Sequence, residues 1–200
     1  MVTESTDDNV KQPECEAETD GAEEKKEAKP TAVHWFREVT AQSVDELMEE
    51  ILCANEHSDG AGVKLYISSP GGDLGPALHF LHTMRHLVPG LQTFATYEVN
   101  SAGVLIFLAG KERFAFPRAR FLFHEVMASV KIKGAKASDV REMADTLEDS
   151  QKMMAETVAE ILGKTSEEIM ELCRAEKHIG TDKALEIGLI SEVLKLVPTP

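Results

Sequence analysis

No run of apolar residues in this 200-residue chain approaches the ~18–20 that a membrane-crossing helix needs. The chain does not open with a basic stretch followed by an apolar one, so no secretory signal is expected. It lacks a Gly-x-x-x-x-Gly-Lys-Ser/Thr loop, which excludes that route to nucleotide hydrolysis. Cysteine is scarce. Cys15, Cys53 and Cys173 stand far apart, without metal-ligand spacing. An odd, scattered set favours reduced thiols and a cytoplasmic setting over a disulfide framework. Nothing in residues 33–200 suggests a metal or an organic cofactor. Positive charge is short as well: 21 Lys and Arg face 35 Asp and Glu, a net of −14. Such a balance argues against broad binding to nucleic acid or anionic membrane. What is present is 42% apolar residues, enough for a sizeable core in one domain.

Residues 1–32 contain no Leu, Ile or aromatic side chain and carry ten acids against four lysines. A segment of that kind cannot bury enough apolar surface to offset its ordering entropy. It reads as a disordered acidic tail, and 33–200 as one ordered domain.

The body alternates strand and helix patterns. Residues 33–39 read as a strand. Ser43, with Glu46 three residues on, reads as the cap of a helix striped by Val44, Leu47, Met48, Ile51 and Leu52. A β-rich run, Val63–Ile67, ends in Ser68-Ser69-Pro70-Gly71-Gly72, a turn that needs glycine freedom. Leu74, Ala77, Leu78, Leu81, Met84 and Val88 then recur at helical spacing. A strand over 91–96 follows, and Asn100-Ser101-Ala102-Gly103 opens a short apolar helix. Residues 113–116 and 120–123 read as strands. Helices are expected over 138–162, 166–174 and 182–187, and a last strand over 190–196. Strands separated by helices predict an α/β fold with parallel pairing and right-handed crossovers.

Two of the turns can carry chemistry. Both join a strand to a helix, where backbone N–H groups lack helical partners and can hold a developing oxyanion. Ser101 stands at the second. A serine favours such a place simply as an N-cap. To become a nucleophile it needs a base, and the base needs an orienting group. His124, at the end of the apolar strand Arg120-Phe121-Leu122-Phe123, is the histidine placed to serve.

These segments together resemble the ClpP family, the proteolytic subunits of the Clp protease. The likeness rests on Ile67-Ser68-Ser69-Pro70-Gly71-Gly72, on Ser101-Ala102-Gly103 running to Ala109-Gly110, on Lys111-Glu112-Arg113 leading through Pro117 to His124, and on Lys183-Ala184-Leu185-Glu186-Ile187-Gly188-Leu189. It spans roughly residues 33–196. The resemblance implies a ClpP/crotonase-type α/β fold of repeated β-β-α units with a protruding helical handle, formed here by the helix over 138–162. It implies Ser101 as nucleophile, His124 as general base, and the amides of Gly72 and Ala102 as the oxyanion hole. Glu176 falls where the family has its triad aspartate, and Asp182 is a nearby second choice. The implied activity is ATP-dependent serine endopeptidase cleavage of peptides or unfolded proteins inside stacked rings, heptameric by resemblance. ATP would be hydrolysed by a separate unfoldase.

The chain also departs from the pattern. Tyr97-Glu98-Val99-Asn100 puts bulk and charge before Ser101, Glu125-Val126 follows His124, and the family's opening helix and axial segment have no counterpart in 1–32. Glu176, Asn100 and Glu125 support an alternative, a catalytically weak or inactive ring subunit. A crotonase-type acyl-CoA enzyme ranks last, because it has no need of a Ser101–His124 pair.

Overall fold

The computed structural model describes residues 29–128, 134 and 136–195. Residues 1–28 of the expected tail, and the end of the expected last strand at Leu196, lie outside the described residues.

The elements in chain order are β1 (Thr31–Phe36), α1 (Ala41–Glu56), β2 (Val63–Ser69), α2 (Leu74–Leu87), β3 (Gln92–Asn100), α3 (Ala102–Leu108), β4 (Glu112–Ala115), β5 (Arg120–Leu122), α4 (Ala137–Leu162), α5 (Ser166–Ala175), β6 (His178–Gly180), α6 (Thr181–Glu186) and β7 (Glu192–Val193). The sheet runs β1-β2-β3-β4-β7 with every pair parallel, as strand–helix–strand connections require. β3 is long enough to serve two neighbours. Its first half pairs with β4, and its last three residues pair with β5. β6 then adds to β5 antiparallel.

One sheet face packs against the helices. Val33, Trp35, Leu65 and Ile67 from the strands meet Leu47 and Ile51 of α1 and Phe80, Leu81 and Met84 of α2. Every residue of α3 is buried, the expected place for a helix apolar on all sides. On the opposite sheet face, parallel register sets His34, Tyr66, Phe94 and Phe114 side by side. Their rings stack with centroids 4.7–4.9 Å apart, which is the spacing of the strands themselves.

Several boundaries differ from the sequence expectation. α1 is capped by Thr40, three residues before Ser43. Thr40 Oγ1 accepts from Ser43 N–H, and Ser43 Oγ accepts from Thr40 N–H. Thr40-x-x-Ser43 is the capping pair; Ser43 lies already inside the helix. β3 continues four residues past Thr96, and β6 was not anticipated.

Arg113 fastens the far end of the core. Its guanidinium donates to the carbonyls of Leu189 (2.8 Å), Gly188 (3.0 Å) and Gly110 (3.1 Å), closing the turns after α3 and α6. Burial, with Arg85 nearby, lowers its pKa from the usual value.

The handle helix α4 behaves as two halves. Residues 151–159 bury Gln151, Met154, Ala155, Val158 and Ala159. In the preceding turns Val140 is 42% and Met143 37% exposed, so this apolar stripe finds no cover on its own subunit.

Candidate active site

The two strand-to-helix turns meet at one end of the sheet. At the first, Ser68 Oγ donates to the Glu98 carbonyl at 3.0 Å, and Ser69 Oγ donates to the Arg37 carbonyl at 2.8 Å. Gly71 N–H donates back to Ser69 Oγ at 3.2 Å. The turn is therefore braced on two sides before the glycines begin. Gly71 and Gly72 take φ of 100° and 146°, a region that disfavours L side chains. A β-carbon on Gly71 would lie 2.6 Å from Ser101 Cβ.

Val39 grips this turn as a short parallel bridge. Its N–H donates to the Gly71 carbonyl and its carbonyl accepts from Asp73 N–H, both at 2.8 Å. Those bonds use the groups on either side of Gly72. The N–H of Gly72 itself makes no hydrogen bond among the described residues.

At the second turn Ser101 adopts φ 53°, ψ −128°. A non-glycine residue at positive φ stores strain, which surrounding structure must hold in place. Here Ser101 N–H donates to the Leu122 carbonyl at 2.8 Å, extending the β3–β5 ladder by one bond. Behind it Gly103 presses on Ser69, where a β-carbon would come within 2.9 Å of Ser69 Cβ. Ala102 opens α3, so its N–H has no carbonyl one turn behind it.

β5 places His124 two residues past its end at Leu122. Gly72, Ser101, Ala102 and His124 line one cavity of about 340 Å³, walled by Leu74, Leu105, Phe123, Val126, Met154 and Val158. The chemistry-bearing groups thus line a common cavity, with Asp73 and Glu125 also on its rim. Among the described residues no hydrogen bond joins Ser101 to His124. Instead His124 Nδ1 lies 2.6 Å from the carbonyl oxygen of Glu125. A carbonyl only accepts, so Nδ1 carries the proton and Nε2 of the neutral ring is left as a base.

Glu176 stands just past α5 in the left-handed region, φ 46°, ψ 38°, with its N–H on the Cys173 carbonyl. The β5–β6 register pairs Leu122 with His178. The pairing ends there, and neither His124 nor Glu176 takes part in it. The Glu176 carboxylate makes no hydrogen bond or ion pair among the described residues, and neither does that of Asp182 in the first turn of α6. The charge noted before Ser101 is also answered locally. Glu98 sits opposite Arg120 on β5 and forms an ion pair with it, while that guanidinium lies over the Tyr97 ring at 5.3 Å.

Sequence reasoning missed Gln151. It is buried on α4, and its Oε1 accepts from Val126 N–H at 2.6 Å, directly behind His124. Its Nε2 reaches Met170 Sδ at 3.3 Å on α5. Nearby Cys173 is buried, and desolvation raises its thiol pKa and disfavours the thiolate. The available signal was a polar residue in the stripe that runs Leu147, Gln151, Met154, Val158.

Residues 25–196 match the family model described as Clp protease. The chain is similar to ATP-dependent Clp protease proteolytic subunit 2 of Rhodococcus jostii, 30% identical over 152 residues, which is 75% of this chain and 76% of that protein. Subunit 1 of Corynebacterium efficiens is 30% identical over 158 residues, 78% of this chain and 75% of that protein. Subunit 2 of Corynebacterium jeikeium is 28% identical over 158 residues, with the same two shares.

Proposed function

Because the chain belongs to the Clp protease family, we propose that it is a serine endopeptidase subunit in which Ser101 attacks the peptide carbonyl. The observation that carries this reading is Ser101 at positive φ, on the rim of a cavity shared with His124 and two amides free of helical partners. His124 Nε2 takes the proton from Ser101 Oγ as the C–O bond forms. Gly72 and Ala102 N–H groups receive the negative charge on the former carbonyl oxygen. The tetrahedral species collapses, the C–N bond breaks, and the imidazolium returns its proton to the leaving amine. Water, deprotonated by the same imidazole, then hydrolyses the acyl-enzyme. Glu176, at the left-handed cap of α5, is the acid of this reading, and its carboxylate makes no hydrogen bond to the ring.

The partner that covers the exposed stripe of α4 is a second copy of this chain in a ring, with seven copies per ring as the expected number. The relatives' names include ATP dependence, and the chain has no nucleotide loop of its own. A separate ATP-driven unfoldase therefore feeds unfolded protein to the chamber. No helix among the described residues is long and apolar enough to cross a membrane.

A fluorophosphonate label read by mass spectrometry tests the assignment. Ser101 is expected to carry the adduct, and Ser101→Ala to lose peptide hydrolysis by about a thousandfold or more with its melting temperature kept. Labelling elsewhere, or an active Ser101→Ala protein, overturns it. The second reading, a ring subunit of weak activity, draws on the unengaged Glu176 carboxylate. It predicts adduct formation on Ser101 at a rate near that of free serine.

A further inference from the structure

We propose that Gln151 is a positioning residue that sets the tautomer of His124 through a single peptide group. This inference rests on the peptidase reading above and names a part of its machinery. Gln151 is 8% exposed, on the half of α4 that packs into the domain. Its Oε1 accepts the N–H of Val126 at 2.6 Å. That N–H belongs to the Glu125–Val126 peptide, whose carbonyl accepts from His124 Nδ1, also at 2.6 Å. A peptide unit is planar, with N–H and C=O pointing opposite ways. Fixing the N–H therefore fixes the C=O. Gln151 aims the carbonyl, the carbonyl holds the proton on Nδ1, and Nε2 is turned out as the base.

The polarities agree along the whole line. Each hydrogen bond in such a chain polarises its neighbour. The Gln151 amide has only one workable orientation: its oxygen must face the Val126 donor, which leaves the nitrogen for Met170 Sδ at 3.3 Å. Without this acceptor the buried-side N–H of Val126 would lose its partner, and the peptide would be free to rotate. The carbonyl thus supplies the orienting group that a triad base requires, while the Glu176 carboxylate makes no bond to the ring. The same contact ties the base to the helix whose other half is exposed.

The experiment uses ¹⁵N-histidine-labelled full-length protein, assembled as purified, and solid-state NMR of the His124 ring nitrogens at alkaline pH. The signals are assigned by their loss in His124→Gln. Wild-type protein is expected to show the Nδ1–H tautomer. Gln151→Met keeps volume and removes the acceptor. It is expected to mix the two tautomers and to lower kcat about a hundredfold, the scale of an ångström misplacement, with KM within a few-fold. Gln151→Glu keeps an acceptor oxygen and is expected to retain the Nδ1–H tautomer and most of kcat. An Nε2–H tautomer in wild-type protein overturns the proposal, whether or not Gln151→Met folds. So does a folded Gln151→Met with unchanged tautomer and kcat. If wild-type Ser101 fails to take a fluorophosphonate, the peptidase reading falls, and the tautomer result still judges the relay by itself.

Discussion

A β-carbon at Gly72 would sit 2.2 Å from the carbonyl oxygen of Val39. That oxygen is backbone, already bonded to Asp73 N–H, and cannot step aside as a flexible side chain would. Gly72→Ala is therefore expected to push the turn away from Val39 and swing the Gly72 N–H off the cavity. Loss of one oxyanion donor lowers turnover about a hundredfold or more. Steady-state peptide hydrolysis on folded Gly72→Ala protein checks this, and a rate near wild type would remove Gly72 from the oxyanion hole.

Glu176 gives a prediction that separates charge from contact. Its carboxylate makes no hydrogen bond to the His124 ring. Glu176→Gln is expected to lower kcat less than about tenfold, far below the ~10⁴ seen when a bonded triad acid loses its charge. Asp182→Asn is expected to leave kcat unchanged. Peptidase rates on assemblies of matched size decide the matter. A ten-thousandfold loss in Glu176→Gln would put its carboxylate on Nδ1 in the working enzyme.

Arg113→Met strips three carbonyls of their donor at once. The expected cost is about 2–3 kcal/mol of folding stability, the scale of hydrogen bonds to a charged group. Arg113→Lys recovers only part of it, since an ammonium cannot reach Gly110, Gly188 and Leu189 in one plane. Urea unfolding of the three proteins measures both numbers, and equal midpoints would show that the contacts contribute nothing net.

Met143→Glu tests the cover on the handle. The residue touches no core of its own subunit, so secondary structure and the monomer's melting temperature are expected to hold. A charge in a subunit interface costs far more, and sedimentation velocity is expected to show smaller assemblies. Rings of unchanged size would place the contact elsewhere.

The sequence was most legible where one strand or helix carried its own pattern. The stripe of α2, the Ser68–Gly72 turn and the buried α3 all declare themselves through local spacing. Harder features were those made by tertiary pairing. β6 is three residues, His178-Ile179-Gly180, with no alternation to reveal it; β5 alone makes it a strand. β3 runs through Glu98 and Asn100 because a second neighbour pairs with its end and Arg120 neutralises Glu98. At the site, Ser101 and His124 could be named from their turns, and both line the same cavity. Gln151 could not be named, since its bond to Val126 spans an intervening segment and depends on how α4 lies. The placement of the Glu176 carboxylate was illegible for a related reason. Its backbone takes a left-handed cap that the register of β6 does not foretell.

The order of elements also sets a schedule for a growing chain. β3, α3, β4 and β5 follow one another in the chain, so Ser101 and His124 can come together once residue 124 has been made and its segment has room to fold. Met154 and Val158, which wall the cavity, and Gln151, which steadies the peptide behind the imidazole, belong to α4 and are synthesised later. In the interval the serine has a base nearby, but the side of the cavity formed by Met154 and Val158 is missing. The cavity is thus complete only once the helix that carries the exposed Val140 and Met143 has been built.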